Sequence, residues 1–123
     1  MKFKELLMTH IDAMVNKDYE GFIKTVSEEA ITLIMPNGHL IDTYEGFCSL
    51  HKEWFEDEDW AIEYEIRQII ETTSLSTALL SIHYTDVDEK NDPLEMYYYL
   101  NLVFKLCDNQ WQLVFDQNTI FKH

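Results

Sequence analysis

The chain has 123 residues, 46% of them hydrophobic, with only three glycines and two prolines, which is enough apolar side chain for one compact domain with a real core and excludes a disordered segment or a repeat array. Nine basic against 23 acidic residues leave a formal charge of −14. Such charge repels phosphate backbones and anionic lipid heads, so neutral or cationic partners are expected in place of nucleic acid or a membrane surface.

Phe3, Leu6, Leu7, His10, Ile11, Met14 and Val15 recur at helical spacing and predict an amphipathic helix, with His10 inside the apolar stripe where leucine or alanine is usual. Glu5, Thr9, His10 and Asp12 interrupt any apolar run long enough for a signal peptide or membrane span, so a soluble, cytoplasmic protein is expected. Asp18 is a natural N-cap for a second, shorter helix carrying Tyr19, Phe22, Ile23 and Val26. Ala30 to Met35 predicts a short strand, Pro36-Asn37-Gly38 a turn, and His39 to Tyr44 the returning strand. A third helix is expected from about Glu45 to Phe55, ended by the acidic run Glu56 to Asp59. That run lacks the glycine and ligand spacing of a calcium loop and reads as a solvated loop.

Four long strands are predicted next: Trp60 to Thr73, Leu75 to Val87, and a pair running from Leu94 to Phe121 and turning at Asp108-Asn109. In the first of that pair Met96, Tyr98, Leu100, Leu102, Phe104 and Leu106 share one face, and Tyr97, Tyr99, Asn101, Val103 and Lys105 the other. In the second, strict alternation sets Trp111, Leu113 and Phe115 against Val114, Asp116 and Asn118. Both faces of this ribbon are largely apolar, so both must be covered. Three helices with a small hairpin, then long antiparallel strands, define an α+β class with a bent sheet wrapped around the helices. Cys48 and Cys107 have no CxxC or disulfide-rich context and read as small apolar residues. No GxSxG elbow or glycine-rich phosphate loop is present, and no metal or cofactor is implied.

The opening helix, Lys17-Asp18-Tyr19, the segment SEEAITLIMPNG, the helix after Tyr44-Glu45-Gly46 and the closing WQLVFDQNT together resemble the nuclear-transport-factor-2-like superfamily. That superfamily includes ketosteroid isomerase, scytalone dehydratase, SnoaL-type cyclases and the association domain of calmodulin-dependent kinase. The resemblance covers nearly the whole chain and rests on the order and spacing of elements. It implies a cystatin-like α+β roll: a cone-shaped, strongly curved, mostly antiparallel sheet wrapped around three helices, one pocket on the concave side, and a homodimer through the convex side. Val114, Asp116 and Asn118 would then face the pocket, while Trp111, Leu113 and Phe115 with Tyr97, Tyr99 and Val103 would form the dimer face.

His10 resembles in place the oxyanion-stabilising tyrosine of ketosteroid isomerase; the plainer reading is a core histidine satisfied by backbone or by Asp116. Asp116 could orient His10, act as a base, or bind the polar end of a ligand, with Asn118 adding a neutral donor and acceptor. His51, Trp54 and Tyr98 are candidate walls. Met35 stands before Pro36 where ketosteroid isomerase has its proton-shuttling aspartate, so steroid isomerisation by that route is not expected, and Met35 becomes a lining residue. The side to which His83 points is open. These residues predict a pocket for a small apolar organic molecule, with His10 and Asp116 as candidate acid and base of a cofactor-independent isomerase or dehydratase. The alternative is a non-catalytic association module.

Overall fold

The structure, a computed structural model, describes all 123 residues. Three helices, α1 (Phe3–Val15), α2 (Tyr19–Ile23) and α3 (Tyr44–Glu56), accompany six strands, β1 (Thr32–Ile34), β2 (Leu40–Ile41), β3 (Ala61–Ile70), β4 (Leu75–Val87), β5 (Pro93–Cys107) and β6 (Gln110–Lys122). The strands form one open, curved sheet in the order β2-β1-β6-β5-β4-β3. Every neighbouring pair is antiparallel except β1 and β6, which run parallel and set Leu33 beside Asp116. The expected α+β roll with its strongly curved sheet is what the chain forms.

Local chemistry explains where the elements begin and turn. Asp18 accepts from the Gly21 amide, and Thr43 from the Gly46 amide, so α2 and α3 start with the same cap, three residues ahead of a glycine. A Cβ at Gly21 would stand 2.4 Å from the Asp18 carboxylate and one at Gly46 2.9 Å from Thr43 Oγ1, so the bare third position lets each cap side chain approach closely. The matching stretches Tyr19-Glu20-Gly21-Phe22 and Tyr44-Glu45-Gly46-Phe47 lay Phe22 and Phe47 parallel, 5.9 Å apart. Between β5 and β6, Asp108 and Asn109 both take positive φ, the left-handed pair that a two-residue hairpin turn requires.

The core lies between the helices and the concave sheet face. Phe3, Leu7 and Ile11 of α1, Phe22 of α2 and Phe47 of α3 pack toward Leu80, Ile82, Leu100, Leu102, Phe104 and Leu113 of the sheet. Burial at this density supplies most of the fold's stability.

β6 departs from strict alternation at Val114. β5 and β6 pair Val103 with Phe115 but Phe104 with Leu113, leaving Val114 without a partner. This bulge reverses the facing of everything before it. Leu113 is fully buried on the concave side, and the Trp111 ring meets Phe3 of α1 at 5.2 Å. Neither belongs to the convex face expected for them. Phe115 pairs with Val103 on the convex side, and Asp116 and Asn118 keep their concave facing.

Candidate functional site

The concave side of the sheet and the helices form a half-open cavity of about 490 Å³. Its inner wall is apolar, with Met14, Phe22, Leu33 and Leu100, and its outer part holds Met35, Pro36, Leu50 and Met96. Trp54, Tyr84 and Tyr98 add aromatic faces. Trp54 is fixed from behind: it stacks on Trp60 at 4.0 Å, and the Trp60 indole N–H donates to the Trp54 carbonyl. Glu53 and Asp57, both exposed, bring carboxylates to the edge.

Asp116 is the one buried charged side chain that lines this cavity, with 6% of its surface exposed. Its Oδ1 accepts from Asn118 Nδ2 at 3.0 Å, and the same amide donates to the Ile34 carbonyl at 2.8 Å, so the side chain is aligned by the end of β1. Burial disfavours its anion and pushes the carboxyl up to about 7, with the Asn118 hydrogen bond opposing. Tyr98 is held above its ordinary phenol range by burial first and then by the Asp116 charge, and it stays a donor. His51 donates from Nδ1 to the Phe47 carbonyl at 2.8 Å, which leaves Nε2 as an acceptor. Burial lowers it to about 4, so it is neutral.

His10 lies elsewhere. It is fully buried in the core, it is not a lining residue, and its neighbours are Phe22 at 4.6 Å and Phe104 at 5.8 Å. The Thr25 hydroxyl donates to the Phe22 carbonyl and so accepts from His10 Nδ1 at 2.7 Å. Nε2 has no partner. Burial, and then the neighbouring His51, push the ring down to about 3. The pair foreseen from sequence, His10 with Asp116, is therefore split: His10 bonds Thr25 and Asp116 bonds Asn118. Of the predicted lining set, Met35, His51, Trp54, Tyr98 and Asn118 reach the cavity and Val114, taken up by the bulge, does not.

Tyr84, Met96, Phe22, Glu53 and Asp57 line the site without having been singled out in the sequence. Tyr84 follows Leu80 and Ile82 on one strand face, and Met96 precedes Tyr98 and Leu100 on another, so alternation carried that signal. Asp57 belongs to the acidic run expected to be only solvated; its carboxylate, with those of Asp59 and Asp86, forms a group within 4.8 Å at this edge. His83 points to the convex side, stacked on Tyr97 at 4.4 Å and bonded to Glu95 at 2.6 Å.

Sheet order, curvature and a pocket on the concave side define the class: this is the nuclear-transport-factor-2-like fold, as the sequence resemblance implied. The structure aligns with a ketosteroid isomerase-like protein from Erwinia carotovora atroseptica at TM-score 0.81 and 13% identity, over 98% of this chain and 94% of that one. A protein of the same fold family assigned as a dehydratase, from Streptomyces avermitilis, aligns at 0.77 and 9%, over 96% and 93%. The association domain of the Caenorhabditis elegans calmodulin-dependent kinase aligns at 0.66 and 15%, over 94% and 90%. At these identities the likeness establishes the fold alone. No family model and no curated protein matches the chain.

Proposed function

We propose that this chain is a single-domain, small-molecule-binding protein whose ligand sits in the cone with its polar end at Asp116 and Asn118. The observation that carries the reading is a buried carboxyl, pushed toward neutrality by burial, in a largely apolar cavity of about 490 Å³. Taking a carboxyl out of water for packing alone costs stability and contributes nothing a leucine would not, whereas at a ligand site it sets orientation and holds a proton. The reaction class these groups serve is cofactor-independent proton transfer, an isomerisation or dehydration, with Asp116 as the group that takes and returns the proton. His10 supports no part in this, since Phe22 stands between it and the cavity wall. Two free cysteines, and no helix long and apolar enough to cross a membrane, fit a cytoplasmic setting.

A second reading, an association module, draws on the convex face. There Tyr99 and Phe121 stack at 4.3 Å while 41% and 48% exposed, with Tyr97 beside them. Such an aromatic patch suits a homodimer, and it coexists with a working pocket. The pocket reading is tested by screening small apolar alcohols, ketones and amines against the labelled protein by NMR. Binding with shifts gathered at the Trp54 indole, the Met96 methyl and Tyr98 supports it. Shifts absent from these groups across the panel overturn it.

A further inference from the structure

We propose that the molecule this cavity takes carries a cationic nitrogen, an amine protonated at neutral pH on a small apolar or aromatic body, and that Asp116 is its anchor. The inference rests on the cavity being a ligand site and adds the chemical class of the ligand.

Charge inside the cavity comes with one sign only. The titratable groups that share it with Asp116 are His51, Glu53 and Asp57 from α3 and its C-terminal cap, Tyr84 from β4 and Tyr98 from β5. α1, α2 and β1 contribute Met14, Phe22 and Leu33, none of which titrates. No lysine or arginine lines it. The nearby Lys17 is engaged outside the cavity, its ammonium bonded to the Asp57 carbonyl at 2.6 Å and lying 4.1 Å over the Trp60 ring. His51 gives its Nδ1 proton to the Phe47 carbonyl and offers the cavity an acceptor. An anion would thus meet Asp116, Glu53 and Asp57 with no positive group to receive it.

Three features favour a cation over a neutral guest. Asp116 is buried with one neutral amide as its hydrogen-bond partner, and an ammonium supplies the charge-assisted partner that a buried carboxylate otherwise lacks. Trp54, Tyr84 and Tyr98 line the cavity, and aromatic rings attract organic cations. At the edge, the carboxylates of Asp57, Asp59 and Asp86 gather within 4.8 Å, and the whole chain carries −14, so the field draws cations inward. The pairing keeps Asp116 ionised, the form in which it accepts a proton, so the inference is compatible with proton-transfer chemistry.

Proton linkage separates the alternatives. A neutral guest dries the carboxyl further and raises its proton affinity, so it binds with proton uptake and more weakly as pH rises. An ammonium lowers that affinity, so it binds with proton release and more tightly as pH rises from about 6 to about 8. The experiment is titration calorimetry with 2-phenylethylamine, 2-phenylethanol and 3-phenylpropionate, in phosphate and in Tris at matched pH. The expected result is an amine about tenfold or more tighter than the alcohol near pH 8, with proton release, and a carboxylate that does not bind. Asp116→Asn, its fold checked by NMR, should bring the amine-to-alcohol ratio to about one. An alcohol or carboxylate that binds as well as the amine, or amine binding with proton uptake, overturns the cation inference and leaves the pocket reading standing. If none of the three binds, the cation inference falls, and if the wider panel of alcohols, ketones and amines also leaves Trp54, Met96 and Tyr98 unmoved, the pocket reading falls with it.

Discussion

Asp116 and His10 are both buried polar residues, yet they titrate against the fold in opposite directions. Asp116 has its pKa raised in the folded state, from an ordinary 3.8 to about 7. Its contribution to stability is therefore whole below about 3.8, where both states are protonated, and is lost as pH rises through 7, where the folded protein must hold a buried anion. Asp116→Asn is expected to stabilise the protein by a few kcal/mol near pH 8 and to be about neutral near pH 3.5, read by urea unfolding at the two pH values. Equal effects at both would show a carboxyl that is not strained by burial. His10 and His51 are lowered to about 3 and about 4, so their stability is present above the ordinary 6.5 and is lost as pH falls below it. His10→Leu fills the same core site without a base. It should recover about 2 kcal/mol near pH 5 and change stability by less than about 1 kcal/mol near pH 8. A variant equally destabilised at both pH values would mean that the Thr25 hydrogen bond, and not the buried ring's charge, governs the site.

At the scale of elements, α2 is short but central. Five residues would not hold a helix in water, and this one persists because Asp18 caps it and because the Phe22 ring is packed among His10, His51, Phe47 and Phe55. Phe22→Leu should cost about 1–3 kcal/mol in urea unfolding and should loosen His51, whose ring lies 4.8 Å away, in hydrogen exchange. A loss near zero would mean that α2 is carried by its backbone alone. The strands show where reading from sequence stops. Alternation placed Tyr98 and Leu100 inward and Tyr97 and Tyr99 outward on β5, because that strand keeps its period opposite β4 without interruption. On β6 the same rule misplaced Trp111, Leu113 and Val114. A bulge is set by how two strands meet and leaves no mark in the period of one of them. Asp116 and Asn118 keep the concave facing that alternation predicts because they follow the bulge. His10 was on the right face of α1, but a helix stripe cannot tell a cavity wall from the core behind it, and here Phe22 fills that space.

At the scale of the whole molecule, the apolar convex face foreseen from the β5 and β6 pattern survives in reduced form. Without Trp111 and Leu113 it consists of Tyr97, Tyr99, Val103 and Phe115, with Phe121 joining from the end of β6. Two chains of −14 each repel, so the homodimer proposed through this face should tighten as salt screens the charge. Sedimentation of the wild type and of Tyr99→Lys checks this: a salt-strengthened dimer in the first and a monomer in the second are expected. A monomer throughout, or a dimer indifferent to Tyr99→Lys, would contradict it. The order of helices and strands was legible because helix and strand periods are strong and the turn residues sit between them. The cavity's acidic edge was not, since Asp57 and Asp86 are far apart in sequence and meet through the path of β3 and β4.

Asp116, buried and facing the pocket, is the group on which the proposed proton-transfer site depends. Its side-chain carbon can be followed by carbon-13 NMR, assigned with Asp116→Asn, across a pH titration of the free protein. A midpoint near 7 is the predicted result. A midpoint in the ordinary carboxylate range near 4 would mean a hydrated Asp116, and it would remove the site that holds a proton near neutrality.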